Sequence, residues 1–107
     1  MAESALQDPA LQHFREALTD LYGEELDRVV LFGSRARGDA VRDSDYDVAV
    51  FLKHMPDRHA ERNQLARLRV RILDEGGPFF EAIPFNASDY DKRTPLMHEI
   101  RRDGLAL

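Results

Sequence analysis

Cysteine is absent from this 107-residue chain, which excludes a disulfide framework and thiolate metal sites and agrees with a reducing compartment. Any metal must be held by oxygen or imidazole. No apolar run approaches the roughly 20 residues that a membrane-spanning helix needs, and the start MAESALQDPA lacks the basic end and apolar stretch of a signal peptide. A cytoplasmic protein without membrane contact is expected. Basic charge is also short, with 15 Lys+Arg against 20 Asp+Glu and a net charge of −5, so general nucleic-acid binding, which depends on neutralising phosphates, is not expected. The G-x-x-x-x-G-K-[ST] spacing of a P-loop and its lysine are missing too.

What is present suits one folded unit. Length and composition, 43% hydrophobic and 33% charged, point to a single domain over residues 1–107 with a modest core. Asp8-Pro9 has the form of an N-cap and first helical residue, and Leu11, Phe14, Leu18 and Leu21 recur at helical spacing until Gly23. Residues 28–32 (RVVLF) form a short β-branched run, which suits a first strand covered on both faces. The polar stretch 34–44 predicts a loop or short helix. A second strand is predicted over 45–52, with Asp45, Asp47, Ala49 and Phe51 on one face and Tyr46, Val48, Val50 and Leu52 on the other.

After Pro56, residues 57–75 predict a long helix with Leu65, Leu68 and Ile72 in its apolar stripe, ended by Gly76-Gly77. Its five arginines read as a solvated face or as a dock for an acidic partner surface. Residues 78–85 (PFFEAIPF) predict a third strand in which Glu81 is the only charge. Thr94-Pro95 announces a last helix that uses Leu96 and Ile100 and stops at Gly104. The order of helix, strand, strand, helix, strand and helix gives an α+β fold: a small mixed β-sheet of three or four strands with helices packed on it. His13, His54, His59 and His98 have no ligand spacing and read as surface groups.

The chemistry concentrates in LFGSRARGDAVRDSDYDVAV, residues 31–50. Asp45 and Asp47 lie side by side on one strand face, where they repel each other unless a cation or proton intervenes. Mg²⁺ takes oxygen ligands and is usually bound by one or two carboxylates plus substrate phosphates, so the pair suffices to recruit a Mg-nucleotide. Glu81 is the candidate third ligand if its strand lies beside the second, because an ionised glutamate among apolar residues is costly unless paired or metal-bound. The other reading puts it on an exposed edge. Gly33 lets the backbone approach a ligand closely, and Ser34 offers a hydroxyl and an amide to phosphate. Arg37 either binds phosphate or bridges carboxylates within its own loop.

The stretch GSRARGDAVRDSDYDVAV resembles the signature of the nucleotidyltransferase superfamily with the DNA polymerase β fold. Gly33, Ser34, Ala36, Arg37, Gly38, Ser44, Asp45 and Asp47 all fall in its order and spacing. The small size is similar to the minimal nucleotidyltransferases, many of which resemble antitoxins paired with a HEPN-type toxin. The resemblance implies that Gly33 and Ser34 contact the nucleotide phosphates and that Asp45 and Asp47 bind two Mg²⁺ ions. It further implies AMP transfer from ATP, with pyrophosphate leaving, onto a hydroxyl such as a tyrosine of the partner toxin, in the manner of a type VII-like antitoxin assembled with its target. Where the family more often has aspartate, this chain has Glu81. Two other functions are open to the same residues: neutralisation of a partner by binding with catalysis weak or lost, and nucleotidyl transfer to a small molecule or RNA.

Overall fold

Asp8 opens the first helix by accepting a hydrogen bond from the backbone N–H of Ala10 at 2.9 Å, with Pro9 behind it in the first turn. The computed structural model describes residues 7–40 and 45–107; Arg42 and Ser44 of the motif lie outside them. Helix α1, Pro9–Tyr22, buries Leu11, Phe14, Ala17 and Leu18. Leu21, expected on that face, is instead 40% exposed, because it stands at the rim of a groove rather than under a neighbour.

Strand β1, Leu26–Phe32, runs into the short helix α2, Ser34–Arg37. Strand β2, Tyr46–Leu52, is buried at every position except Asp47. Helix α3, Arg58–Asp74, is capped by Asp57, whose side chain accepts from Ala60 N–H, and buries Leu65, Leu68 and Ile72. Strand β3 is Phe80–Asn86 and helix α4 is Pro95–Asp103, capped by Thr94. The first two expected strands and the last start within two residues of the sequence reading. Three elements were not legible: 3-10 turns over Gly23–Glu25 and Ala87–Asp91, and a two-residue strand β4, Leu105–Ala106, which is too short to carry a period.

The sheet order is β3-β2-β1-β4. Strands β1 and β2 are antiparallel, β4 adds antiparallel to β1, and β3 adds parallel to β2 with α3 as the crossover. Helices cover both faces, which is why β2 is nearly all apolar. On one face Val29, Leu31, Val48, Val50 and Leu52 pack with α1 and α3; on the other Val30, Phe32, Ala49, Phe51 and Phe85 pack with Met97 and Ile100 of α4. Strand β3 is an edge, and Pro84 sits in it, a position where a missing N–H is tolerated.

The turn after β3 is fastened by Asp89, which is 7% exposed. It accepts from the backbone N–H of Asn86 at 3.1 Å and from Lys92 Nζ at 2.6 Å, and Arg58 at the start of α3 stands 3.9 Å away. The Lys92 hydrogen bond, reinforced by Asn86 and Arg58, holds its carboxyl below the ordinary value of 3.8. A depressed native pKa stabilises the fold above the ordinary value, and that stabilisation is lost as pH falls through the native one. Asp89→Asn is expected to cost about 1–3 kcal/mol at neutral pH and to flatten the acid limb of stability below about pH 4, both read from urea titrations across pH.

Candidate active site

The strand directions bring distant residues to one end of the sheet. Antiparallel pairing sets Phe32, the last residue of β1, opposite Asp47 near the start of β2. Parallel pairing sets Glu81, at the start of β3, opposite the same aspartate. The Gly33-Ser34 turn, Asp45, Asp47 and Glu81 therefore share that end. Asp47 follows the alternation of Ala49 and Phe51 and so lies on the α4 side of the sheet.

Gly33 and Asp47 are built against each other. Gly33 has φ +77°, a conformation that side chains rarely adopt, and a Cβ placed on it would collide with the Asp47 carboxylate. The chain then enters α2, with Arg37 N–H donating to Gly33 carbonyl, and leaves it through Gly38 at φ +85°. Ser34 is half-buried at this turn.

Tyr46, between the two aspartates, is the anchor of the strand start. Its hydroxyl donates to Asp8 Oδ2 at 2.7 Å, so one carboxylate both caps α1 and holds β2. Its ring stacks on Phe80 with centroids 5.0 Å apart, Phe80 stacks on Phe14 at 4.2 Å, and the Arg35 guanidinium lies 4.2 Å from the Tyr46 centroid. Burial, then the Asp8 hydrogen bond, push the phenol up to about 12. It stays a neutral donor at working pH.

Negative charge gathers around Asp47. Burial raises its carboxyl above the ordinary value, and Asp45, Glu81 and Glu99 raise it further against the opposing effect of Arg37. Glu99, on α4, is the group that sequence reasoning missed. Nothing in the local pattern marks it, because only the packing of α4 on the Asp47 face brings it close. It stands 3.7 Å from Arg37 Nη1, while Arg37 Nε bonds Asp39 at 3.2 Å. Arg37 thus lies between Asp39 of its own loop and Glu99 of α4.

Glu81 is on the edge strand with its side chain 49% exposed, and its carboxylate is 3.8 Å from Arg69 of α3. Among the described residues no three Asp, Glu or His side chains are grouped as ligands of an ion. The donor chemistry nonetheless suits a hard cation: the groups at the sheet end are oxygen donors, and the mutual repulsion at Asp47 is what a divalent ion offsets.

The family model described as the nucleotidyltransferase domain matches residues 11–94, and the chain belongs to that family. Two proteins of Methanocaldococcus jannaschii, each named as a candidate protein adenylyltransferase, are similar to it. One is 44% identical over 46 residues, 43% of this chain and 46% of that protein. The other is 39% identical over 57 residues, 53% of this chain and 39% of that protein. The chain thus spans less than half the length of either. Among solved structures, a toxin-antitoxin with AMP-PNP shares the fold at a TM-score of 0.63 and 24% identity, covering 89% of this chain and 70% of that one. The toxin-antitoxin MntA-HpeT, in a variant with two aspartates two positions apart replaced by glutamate, gives 0.62 and 22% over the same shares.

Two outcomes are expected from the Gly33–Asp47 contact. Gly33→Ala should destabilise the fold by about 1–3 kcal/mol through strain and collision, measured by chemical denaturation. Asp47→Asn should do the reverse in the presence of a chelator. A carboxyl raised in the native state favours folding only as it protonates, so its ionised form costs stability at neutral pH. The asparagine variant should melt higher by about 1–4 °C while losing any dependence of Tm on Mg²⁺.

Proposed function

We propose that this chain is a Mg²⁺-dependent nucleotidyltransferase that moves AMP from ATP to a hydroxyl of a partner protein, most simply a tyrosine of a HEPN-type toxin that it restrains as antitoxin. The observation that carries this reading is the contact of Gly33 with Asp47. A turn able to take phosphate and a carboxylate able to take a cation are made as one unit at the end of the sheet. The names of the two archaeal relatives support AMP transfer, and the AMP-PNP and toxin-antitoxin of the structural neighbours support ATP and a toxin partner.

In this reading Asp45, Asp47 and Glu81 are the residues that would hold the metal, which when bound neutralises triphosphate charge and acidifies the acceptor hydroxyl. The other roles belong to the chain itself. Gly33, with no Cβ, lets backbone and phosphate come close, and the Ser34 hydroxyl donates to a phosphate oxygen. Arg37, held by Asp39 and Glu99, directs positive charge to the pyrophosphate as it leaves. Tyr46 keeps the aspartates from drifting apart, since its hydroxyl and ring are both held. Transfer joins the acceptor oxygen to the α-phosphorus, breaks the α–β phosphoanhydride bond and releases the hydroxyl proton. No covalent enzyme intermediate is required.

One observation favours a second reading, in which the chain restrains its partner by binding alone. Glu81 and Arg37 both lie in ion pairs with residues of the chain itself. The experiment that separates the two is incubation of the chain with α-labelled ATP, Mg²⁺ and the protein encoded beside it. Label is expected on the partner, and Asp45→Ala or Asp47→Ala should lower transfer on the order of 100- to 1,000-fold without loss of the folded far-UV signal. A tight complex that takes no label would establish the binding reading. Labelling that survives both substitutions would refute the site.

A further inference from the structure

Asp8 differs from the other helix caps in having partners on two elements. Asp57 and Thr94 open α3 and α4, and among the described residues their side chains hydrogen-bond only within their own first turns. Asp8 accepts from Ala10 N–H through Oδ1 at 2.9 Å and from the Tyr46 hydroxyl through Oδ2 at 2.7 Å. A cap needs one oxygen, which serine, threonine or asparagine supplies as well. The second oxygen of the carboxylate serves a residue 38 positions away.

Tyr46 in turn touches every part of the nucleotide site from behind. Asp45 and Asp47 are its neighbours in the chain, and its ring lies on the α1 and α3 side of the sheet, opposite to Asp47. Its N–H donates to the Phe79 carbonyl at 3.1 Å, which holds the start of β3 just before Glu81. Arg35, directly after Ser34, lies 4.2 Å from its ring centroid, while Arg37 stands by Glu99 on the α4 side. The short helix α2 therefore straddles the sheet end, one arginine to each face. Helix α1 grips the same ring a second time, since Phe80 stacks on Tyr46 and Phe14 of α1 stacks on Phe80 at 4.2 Å. The first turn of α1 and the nucleotide site thus share one fastening.

We propose that Asp8 is a positioning residue for the nucleotide site, acting through the Tyr46 hydroxyl to set the strand start that carries Asp45 and Asp47 and the ring on which Arg35 rests. The inference rests on the nucleotidyltransferase reading and adds a control of that same site from α1. Coupling between two sites is reciprocal. If the first turn of α1 holds the site in shape, a filled site holds that turn closed, and the bonds at stake are those of Ala10 N–H to the Asp8 side chain and of Gln12 N–H to the Asp8 carbonyl.

The test uses the full chain and four variants. Tyr46→Phe keeps the stacked ring and loses only the hydroxyl; Asp8→Ser keeps a capping oxygen but is too short to reach Tyr46; the third combines both. Asp57→Ala removes the cap of α3, which has no tie to the site, and shows what lost helix stability alone does. Mn²⁺ binding followed by electron paramagnetic resonance is expected to weaken about tenfold in Tyr46→Phe and in Asp8→Ser, no further in the double variant, and not in Asp57→Ala. Hydrogen exchange of Ala10 and Gln12 should slow on adding Mg-ATP to the unaltered chain, more than that of the first turn of α3, and should not slow in Tyr46→Phe. Unchanged Mn²⁺ affinity in both single variants, an equal loss in Asp57→Ala, additive losses in the double variant, or exchange in α1 indifferent to Mg-ATP would each overturn the proposal. An unaltered chain that binds neither Mn²⁺ nor Mg-ATP is the separate failure of the nucleotide reading.

Discussion

Asp47 is kept at the end of β2 by packing that is indifferent to its charge. Val48 and Val50 are fully buried against α1 and α3, Ala49 and Phe51 against α4 and β3, and Tyr46 is tied to Asp8 on one side and stacked on Phe80 on the other. That apolar and aromatic support lets a carboxylate remain beside Asp45, Glu81 and Glu99 although each of them raises its pKa. The turn at Gly33, the register of β3 and the seating of α4 all take their meaning from this one group. The electrostatic cost of holding Asp47 beside these carboxylates is what the cation of the proposed reading would offset.

Most of this was legible in the sequence, and the reasons are local. Asp8-Pro9, Asp57 and Thr94-Pro95 mark helix starts by capping chemistry that acts within three residues, and each start was found. Two-faced burial of β2 follows from its unbroken apolar run, and it fixed which face Asp47 occupies. What was not legible is what depends on packing between distant elements. Glu99 reaches the site only because α4 lies on the Asp47 face. Leu21 has helical spacing like Leu18, yet α3 does not close over it. The fate of Glu81 depended on strand order: because β3 is the edge, its carboxylate has solvent and Arg69 within reach as well as Asp47.

The arginines of the chain form a pattern that composition conceals. Arg28 and Arg58 lie over the rings of Tyr90 and Phe85, Arg35 over Tyr46 and Arg69 over Phe79. Guanidinium groups thus serve as packing plates for aromatic residues while keeping their donors on the outside. A lysine at these positions would offer a point charge without the flat face. Charge reversal there would be felt twice, in the electrostatics and in the stacking.

Pro84 has a consequence for the behaviour of the protein in concentrated solution. An uncovered edge strand is a template on which a second molecule can add its own, the first step toward aggregation. Here the edge carries a residue that cannot donate at Pro84, a charge at Glu81 and a guanidinium leaning over it from Arg69, so two copies brought edge to edge would set like charges together and break the ladder after a few bonds. The edge is guarded twice, since Phe80 and Pro84 are buried and the charges of Glu81 and Arg69 stand over what is left between them.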